Sequence, residues 1–206
     1  MITLNNVYKE VKGRNILTDI NLLLGDCGIY LVKGDNGAGK SSLLSIIGLV
    51  DNKYQGSMYF NNQNFRDDVF SFKRTKYRKE HISFLTAKDN LISDISVEAN
   101  LNFYSDKPFA LPFSDIDLKE KSAKLTDGEE QIVALIREIK SDRNIMLLDE
   151  ITSYLDDAKT KWVLDQLDRL SKERLIVFAT HDERVFFNGA RTVNLENGII
   201  RNSNNR

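Results

Sequence analysis

The stretch Gly34-Asp35-Asn36-Gly37-Ala38-Gly39-Lys40-Ser41 constrains this chain more than any other part of it. It fits G-x-x-x-x-G-K-[ST], in which glycines let the backbone fold into a concave nest of N–H groups aimed at phosphate oxygens. Lys40 adds a point charge at the β- and γ-phosphates, and the Ser41 hydroxyl, followed by Ser42, is placed to ligate a divalent cation. Its flanks suit that role. Ile29–Lys33 reads as a buried strand entering the loop, and Leu43, Ile46, Ile47 and Val50 recur at the i, i+3, i+4, i+7 spacing of a helix face. The helix N-terminus therefore points at the phosphates, where its dipole favours negative charge.

A chain of 206 residues is long enough for one large domain with a sizeable core. Its net charge of −1 provides no global basic field, so nucleic acid is not an expected partner. The basic stretch Lys73–Lys79 reads as a solvated helix face. Cys27 is the only cysteine, which excludes an internal disulfide and suits a reducing cytosol. No apolar run approaches the ~18 residues of a membrane-crossing helix, and the first residues have no basic and apolar leader pattern. The expectation is a chain that neither crosses a membrane nor is exported.

In order, Ile2–Leu4 and Ile20–Leu24 read as strands around a turn at residues 12–15, and Ser57–Phe60 as another. Ile82–Leu85 reads as a short buried strand. Residues 86–124 are more polar and hold both prolines, Pro108 and Pro112, consistent with a small, mostly helical insertion. Ile132, Leu135, Ile136 and Ile139 form a helical stripe, and Thr126 with Glu129 forms a capping box at its start. Ile145–Leu148 is a continuous apolar run ending in Asp149-Glu150, as expected of a central parallel strand whose carboxyl end faces a ligand. Ala158–Leu170 is amphipathic. Leu175–Ala179 is a second buried strand, ending at Thr180-His181-Asp182. Thr192–Leu195 and Ile199–Ile200 read as a closing hairpin, and residues 201–206 as a frayed polar tail.

With the phosphate loop, the Thr126-capped helix start, a strand ending in Asp149-Glu150 and a strand ending at His181 in this order, the chain resembles the nucleotide-binding domain of ABC transporters across almost its full length. Leu125-Thr126-Asp127-Gly128-Glu129 stands where the family has its LSGGQ or LSGGE signature. Asp149-Glu150 is like the family's Walker B end plus catalytic glutamate, Ser153-Tyr154-Leu155-Asp156 is like its D-loop, and His181 is like its switch histidine. The resemblance implies an α/β fold: a P-loop NTPase core with a central, mostly parallel sheet and an N-terminal antiparallel β-subdomain. It implies one domain over 1–206, with a small, shortened helical subdomain inserted at approximately 86–127.

The resemblance also implies the chemistry. Gly34 to Ser42 would bind ATP. Ser41 and Asp149 would hold Mg²⁺, Glu150 would be the general base, and His181 would sense the γ-phosphate. The signature residues Thr126, Gly128 and Glu129 would close over the ATP of a second subunit, so a homo- or heterodimer with another ATP-binding subunit is implied. So is an integral-membrane permease partner, with this chain peripheral on the cytoplasmic face of the membrane. Residues 78–84, 90–91 and 97–101 look most like the exporter branch that includes macrolide, lipoprotein and bacteriocin systems.

Departures from the family pattern fall at defined places. Val11 stands where an adenine-stacking aromatic is usual, with Tyr8 the nearest replacement; Ala87 stands where a glutamine is usual; Asp127 replaces the first signature glycine, placing a carboxylate where phosphate is expected. The segment between Asn100 and Leu125 is short by about one helix. An alternative reading is a partly degenerate partner in a heterodimeric ABC system, with a regulatory or immunity role and little hydrolysis of its own. Small kinases and GTPases account for neither Leu125–Glu129 nor His181, and soluble ABC ATPases acting on DNA or ribosomes resemble tandem cassettes or carry long coiled coils, which are lacking here.

Overall fold

A computed structural model describes residues 1–65, 72–113 and 116–201. In chain order it holds β1 (Ile2–Val11), β2 (Arg14–Leu24), β3 (Gly28–Lys33), α1 (Lys40–Ile47), β4 (Gln55–Phe60), β5 (Gln63–Asn64), α2 (Phe72–His81) and β6 (Ile82–Leu85). There follow α3 (Val97–Leu101), α4 (Asp127–Lys140), β7 (Ile145–Asp149), α5 (Asp157–Leu170), β8 (Leu175–Ala179), β9 (Arg191–Glu196) and β10 (Ile199–Arg201). The strands form an antiparallel sheet, β2-β1-β4-β5, and a second sheet, β10-β9-β3-β8-β7-β6, antiparallel only at its β10–β9 edge.

The continuous apolar runs of β3, β7 and β8 arise because both faces of the larger sheet are covered. Tyr30, Val32, Ile145, Leu147, Leu175 and Val177 enter the core shared with α1 and the antiparallel sheet. Their sequence neighbours Ile29, Leu31, Met146, Leu148, Ile176 and Phe178 point the other way, into the core under α4 and α5. Leu43, Leu44, Ile46 and Ile47 of α1 are fully buried, each side chain contributing about 1.5–3 kcal/mol. That burial holds the start of α1 against the sheet edge. In the parallel register Ala179 is opposite both Val32 and Asp149. The segments leaving β3, β7 and β8 therefore emerge side by side, which positions the site described below.

Several expectations need correction. Val50 is not on the α1 face: the helix ends at Ile47, Gly48 caps it, and Leu49 turns the chain at φ 56°, leaving Val50 exposed. A side chain at Gly48 would press on Leu147 and Phe84 at 3.1 Å, so the end of the helix packs its backbone directly against the sheet. Strands β1 and β2 are far longer than expected. Register shifts between Leu4 and Glu10, with Asn6 and Asp19 in the left-handed region, scramble the alternation by which a strand is read. The 86–124 segment carries less helix than expected. Among the described residues it holds α3 and a single 3₁₀ turn, Ser122–Lys124, and is pinned by side chains such as Asn100, which bonds Ile92 and Ser122.

The basic stretch does form a helix, α2, but one of its cations is not solvated. Arg74 is buried and its guanidinium donates to the Leu49 carbonyl at 2.9 and 3.1 Å. Arg201 closes β10 opposite Asn194, while residues 202–206 of the expected polar tail lie outside the described residues. No helix among the described residues is long and apolar enough to cross a membrane.

Candidate functional site

The loop from Gly34 to Gly39 leaves β3 and enters α1 by a route that only glycine allows at two points. A Cβ on Gly34 would lie 2.1 Å from the Leu195 carbonyl oxygen. One on Gly39, at φ 103°, would lie 2.8 Å from the Ile16 carbonyl oxygen. Gly39 also caps α1 without any side-chain acceptor, so the first-turn amides, including those of Ser41 and Ser42, remain available to an anion. Asp35, Asn36 and Gly37 are exposed, and Ala38 is buried. The loop borders a cavity of about 650 Å³ lined also by Arg14, Asn15, Ile16 and residues 194–197.

Lys40 is only 6% exposed. Its ammonium donates to the Gly34 carbonyl at 2.7 Å and the Asp35 carbonyl at 3.2 Å, and lies 3.3 Å from Glu150 Oε1. Two carbonyls and a carboxylate thus hold a cation over the loop. Asp149, at the end of β7, is 8% exposed, and its Oδ1 is buried without a hydrogen-bond partner. Burial pushes its carboxyl above the ordinary range and the neighbouring Glu150 charge adds to this, while the Ser41 hydroxyl and Lys40 pull it back. An orphaned carboxylate oxygen beside an exposed hydroxyl fits a divalent cation that takes its remaining ligands from phosphate and water. Among the described residues no cluster of three acidic, histidine or cysteine side chains exists to hold a metal alone.

Glu150 follows with φ 55°, a left-handed conformation that is uncommon for a residue with a side chain. Its N–H donates to the Ala179 carbonyl at 2.9 Å, extending the β7–β8 pairing by one bond while the side chain turns toward the loop. His181 faces it from the segment after β8. The His181 backbone N–H donates to Glu150 Oε2 at 3.3 Å, and its Nδ1 lies 2.9 Å from Oε1. Lys40 and His181 both stand within ion-pair distance of Oε1, but this buried oxygen accepts no hydrogen bond.

The structure therefore gathers Gly34–Ser42, Asp149, Glu150 and His181 at one sheet edge. It places the signature residues elsewhere. Thr126 and Glu129 form their capping box, with Thr126 N–H and Oγ1 each donating to Glu129 Oε2 at 2.8 Å. The Thr126 amide holds the Glu129 carboxyl below the ordinary range. Gly128 packs so tightly that a Cβ would lie 2.8 Å from the Tyr154 carbonyl oxygen. Among the described residues no hydrogen bond or ion pair joins Thr126, Gly128 or Glu129 to the phosphate loop, Glu150 or His181.

Sequence reasoning missed what surrounds Asp127. Lys88 Nζ donates to Asp127 Oδ2 at 2.7 Å and stands 4.5 Å from the Tyr154 ring centre, its ammonium held charged chiefly by Asp127. Gln131 reaches from α4 to the carbonyls of Thr86 and Ala87, and Glu130 Oε1 accepts from the Asn90 N–H at 2.6 Å. The segment after β6 is thereby strapped to the start of α4. A basic residue beside Ala87 was the available signal. Tyr8, the nearest ring that could replace the missing aromatic at the base position, does not line the 650 Å³ cavity. It sits with its hydroxyl toward Asp19, on a separate pocket with Lys53, Tyr54 and Gln55, and the main cavity has no aromatic lining residue.

Comparison with known proteins gives this arrangement its context. A family model described as ABC transporter matches residues 17–153. Macrolide export ATP-binding/permease protein MacB of Campylobacter jejuni is 27% identical over 97% of this chain, which spans 33% of that protein. Methionine import ATP-binding protein MetN 1 of Enterococcus faecalis is 30% identical over 99% of this chain, which spans 63% of it. This chain is thus a third to two thirds as long as these relatives. The cassette MJ0796 of Methanocaldococcus jannaschii, in a dimeric post-hydrolysis state bound to ADP and Pi, superposes with a TM-score of 0.84 at 25% identity, covering 98% of this chain and 97% of that one. With the phosphate loop, the carboxylate pair and the histidine brought together in that fold, this chain belongs to the ABC transporter family, as one of its ATP-binding cassettes.

Proposed function

We propose that this chain hydrolyses ATP at the ends of β3, β7 and β8, with the closed site completed by the signature segment of a second cassette. The observation that carries this reading is the convergence of Lys40, Asp149, Glu150 and His181 on one glycine loop. The loop amides and Lys40 bind the β- and γ-phosphates, Lys40 exchanging the Gly34 and Asp35 carbonyls for phosphate oxygens. Ser41 and Asp149 would hold Mg²⁺, which would supply positive charge against those oxygens. Glu150 takes a proton from the water that attacks the γ-phosphorus, and the bond to the β–γ bridging oxygen breaks to leave ADP and phosphate. His181 holds the Glu150 carboxylate in place. Phosphate release from MgATP by the purified chain tests this; none above the level of a Glu150→Gln control would contradict it.

In this reading Thr126, Gly128 and Glu129 cap the nucleotide of the second copy or of a related cassette. Closure drives an integral-membrane permease from the cytoplasmic face. The MacB relative, named for macrolide export, and the resemblance at residues 78–84 support export over the import named for the MetN relative, and the cargo in this reading is a peptide or other amphipathic substrate. The Lys88–Asp127 pair neutralises, within the chain, the carboxylate that would otherwise repel phosphate at closure. Lys88→Ala is therefore expected to weaken ATP-induced dimer formation, and Asp127→Gly in the same chain to restore it. Sedimentation of the single and double variants with MgATP checks this, and a double variant no better than Lys88→Ala would refute it.

The base position has its own expected outcome. Val11 is 43% exposed and pairs across the hairpin with Arg14, and no ring lines the adjoining cavity. ATP should be preferred over GTP by less than about tenfold, and Val11→Tyr should tighten ATP binding by about 5- to 150-fold, the effect of one stacking contact. Calorimetric titration of both nucleotides against both proteins decides the point.

A further inference from the structure

Arg184, three residues beyond His181, holds together the two segments that carry the proposed base and its histidine. Its Nε lies 3.0 and 3.2 Å from the two Asp182 carboxylate oxygens, and Nη2 donates to Asp182 Oδ2 at 2.8 Å. The other side of the guanidinium crosses to the turn that begins at Glu150. Nη2 donates to the Thr152 carbonyl at 3.3 Å and Nη1 to the Leu155 carbonyl at 3.1 Å. Nη1 also donates to Asp157 Oδ1 at 2.9 Å, at the first turn of α5.

Both segments are internally tight, so a tie between them sets their spacing. The turn is closed by Ser153 N–H to Glu150 O at 3.2 Å and Leu155 N–H to Thr152 O at 3.1 Å. The histidine segment is closed by Asp182 N–H to Thr180 Oγ1 at 2.9 Å and Val185 N–H to Asp182 O at 3.1 Å. The Arg184 guanidinium holds the Asp182 carboxyl down at about 2, so this anchor is a full carboxylate at neutral pH. Val185 and Phe187 are buried in the core beyond it, and they keep the segment folded without the arginine.

We propose that Arg184 is a positioning residue for hydrolysis, fixing the contact between Glu150 and His181 by clamping the turn after β7 to the segment after β8. It touches no part of the phosphate loop and acts through the two residues it holds in register. A planar fork with several fixed donors is required, because its partners lie on different sides and a lysine ammonium cannot span them. Displacement of a catalytic group by about 1 Å can cost ~10²-fold in rate.

The proposal rests on the reading of Glu150 and His181 given above, so its test carries one readout that does not depend on turnover. The full chain is compared with Arg184→Ala and Arg184→Lys by MgATP kinetics, thermal melting and NMR of its two histidines, His81 and His181. Arg184→Ala should lower kcat by about 10- to 100-fold with KM for ATP nearly unchanged and the melting midpoint close to wild type. Arg184→Lys should recover only a small part of the rate. The His181 ring signals should move in both variants while those of His81 stay. Unchanged kcat and unmoved His181 signals in Arg184→Ala would overturn the clamp alone. A parallel fall of kcat, ATP affinity and melting point, fully restored by lysine, would show a merely structural role and overturn it too. Absence of turnover in the wild type would overturn the proposed function and the catalytic role of the clamp together.

Discussion

Glu150→Gln is expected to leave ATP binding intact and to slow hydrolysis by about 10²- to 10⁴-fold, the range for loss of a general base. The amide keeps the shape of the side chain and accepts hydrogen bonds, but it cannot take a proton from water. The substitution also removes the charge facing Lys40 and His181, but the other anchors of the site remain. The backbone stays held by the Glu150–Ala179 bond, and before nucleotide binds Lys40 is still held over the loop by the Gly34 and Asp35 carbonyls, which it exchanges for phosphate oxygens. ATP therefore still draws the two cassettes together, and hydrolysis no longer opens them. Gel filtration with MgATP should show the variant as a dimer while the wild type runs mainly as a monomer. Turnover equal to wild type would remove Glu150 from the mechanism. Lost turnover with a monomeric elution would point to a different cassette as partner.

Lys40→Ala should show the second large effect, this time on binding. The substitution removes a cation that is nearly buried and already placed over the loop by its contacts with Gly34, Asp35 and Glu150. Charge-assisted hydrogen bonds of about 1.5–3 kcal/mol correspond to a fall in ATP affinity of about 10- to 150-fold. The isolated chain should still fold, because the apolar face of α1, not Lys40, attaches the helix to the sheet. Calorimetric or fluorescent-nucleotide titration reads the affinity and circular dichroism the fold. An affinity within about twofold of wild type would contradict the role given to the loop.

Much of this site was legible because its constraints are local in sequence. The glycines, Lys40 and Ser41 are contiguous, and the helix stripe that follows them is short-range periodicity. The buried strands announce themselves through continuous apolar runs, and their carboxyl ends must lie at one edge of a parallel sheet, which brings Asp149, Glu150 and His181 toward the loop. The features that escaped are of another kind. The bulges of β1 and β2 break the period of two by which a strand is recognised. The left-handed backbone at Glu150 follows from where the chain must go after β7, not from the glutamate itself.

Contacts between side chains distant in sequence were equally hidden. Lys88 reads as one charge in a polar stretch until the fold sets it against Asp127, 39 residues away, and turns an unfavourable signature residue into half of an ion pair. Arg184 likewise reads as a surface arginine until Thr152, Leu155 and Asp157 are brought beside it. The irregular run from Ser105 to Phe113 has no regular element among its described residues and is organised by individual side-chain contacts, such as Phe113 against Trp162. Neither periodicity nor capping signals report on such a segment.

The central claim is that ATP is hydrolysed at a site built by two cassettes, with Glu150 of one chain and the start of α4 of the other acting on the same nucleotide. Phosphate release from MgATP, followed as a function of wild-type protein concentration, tests it most directly. The expected result is a rate per chain that climbs with concentration and then levels off, and that falls by about 10²- to 10⁴-fold in Glu150→Gln. A rate per chain that is independent of concentration down to high dilution would contradict the claim.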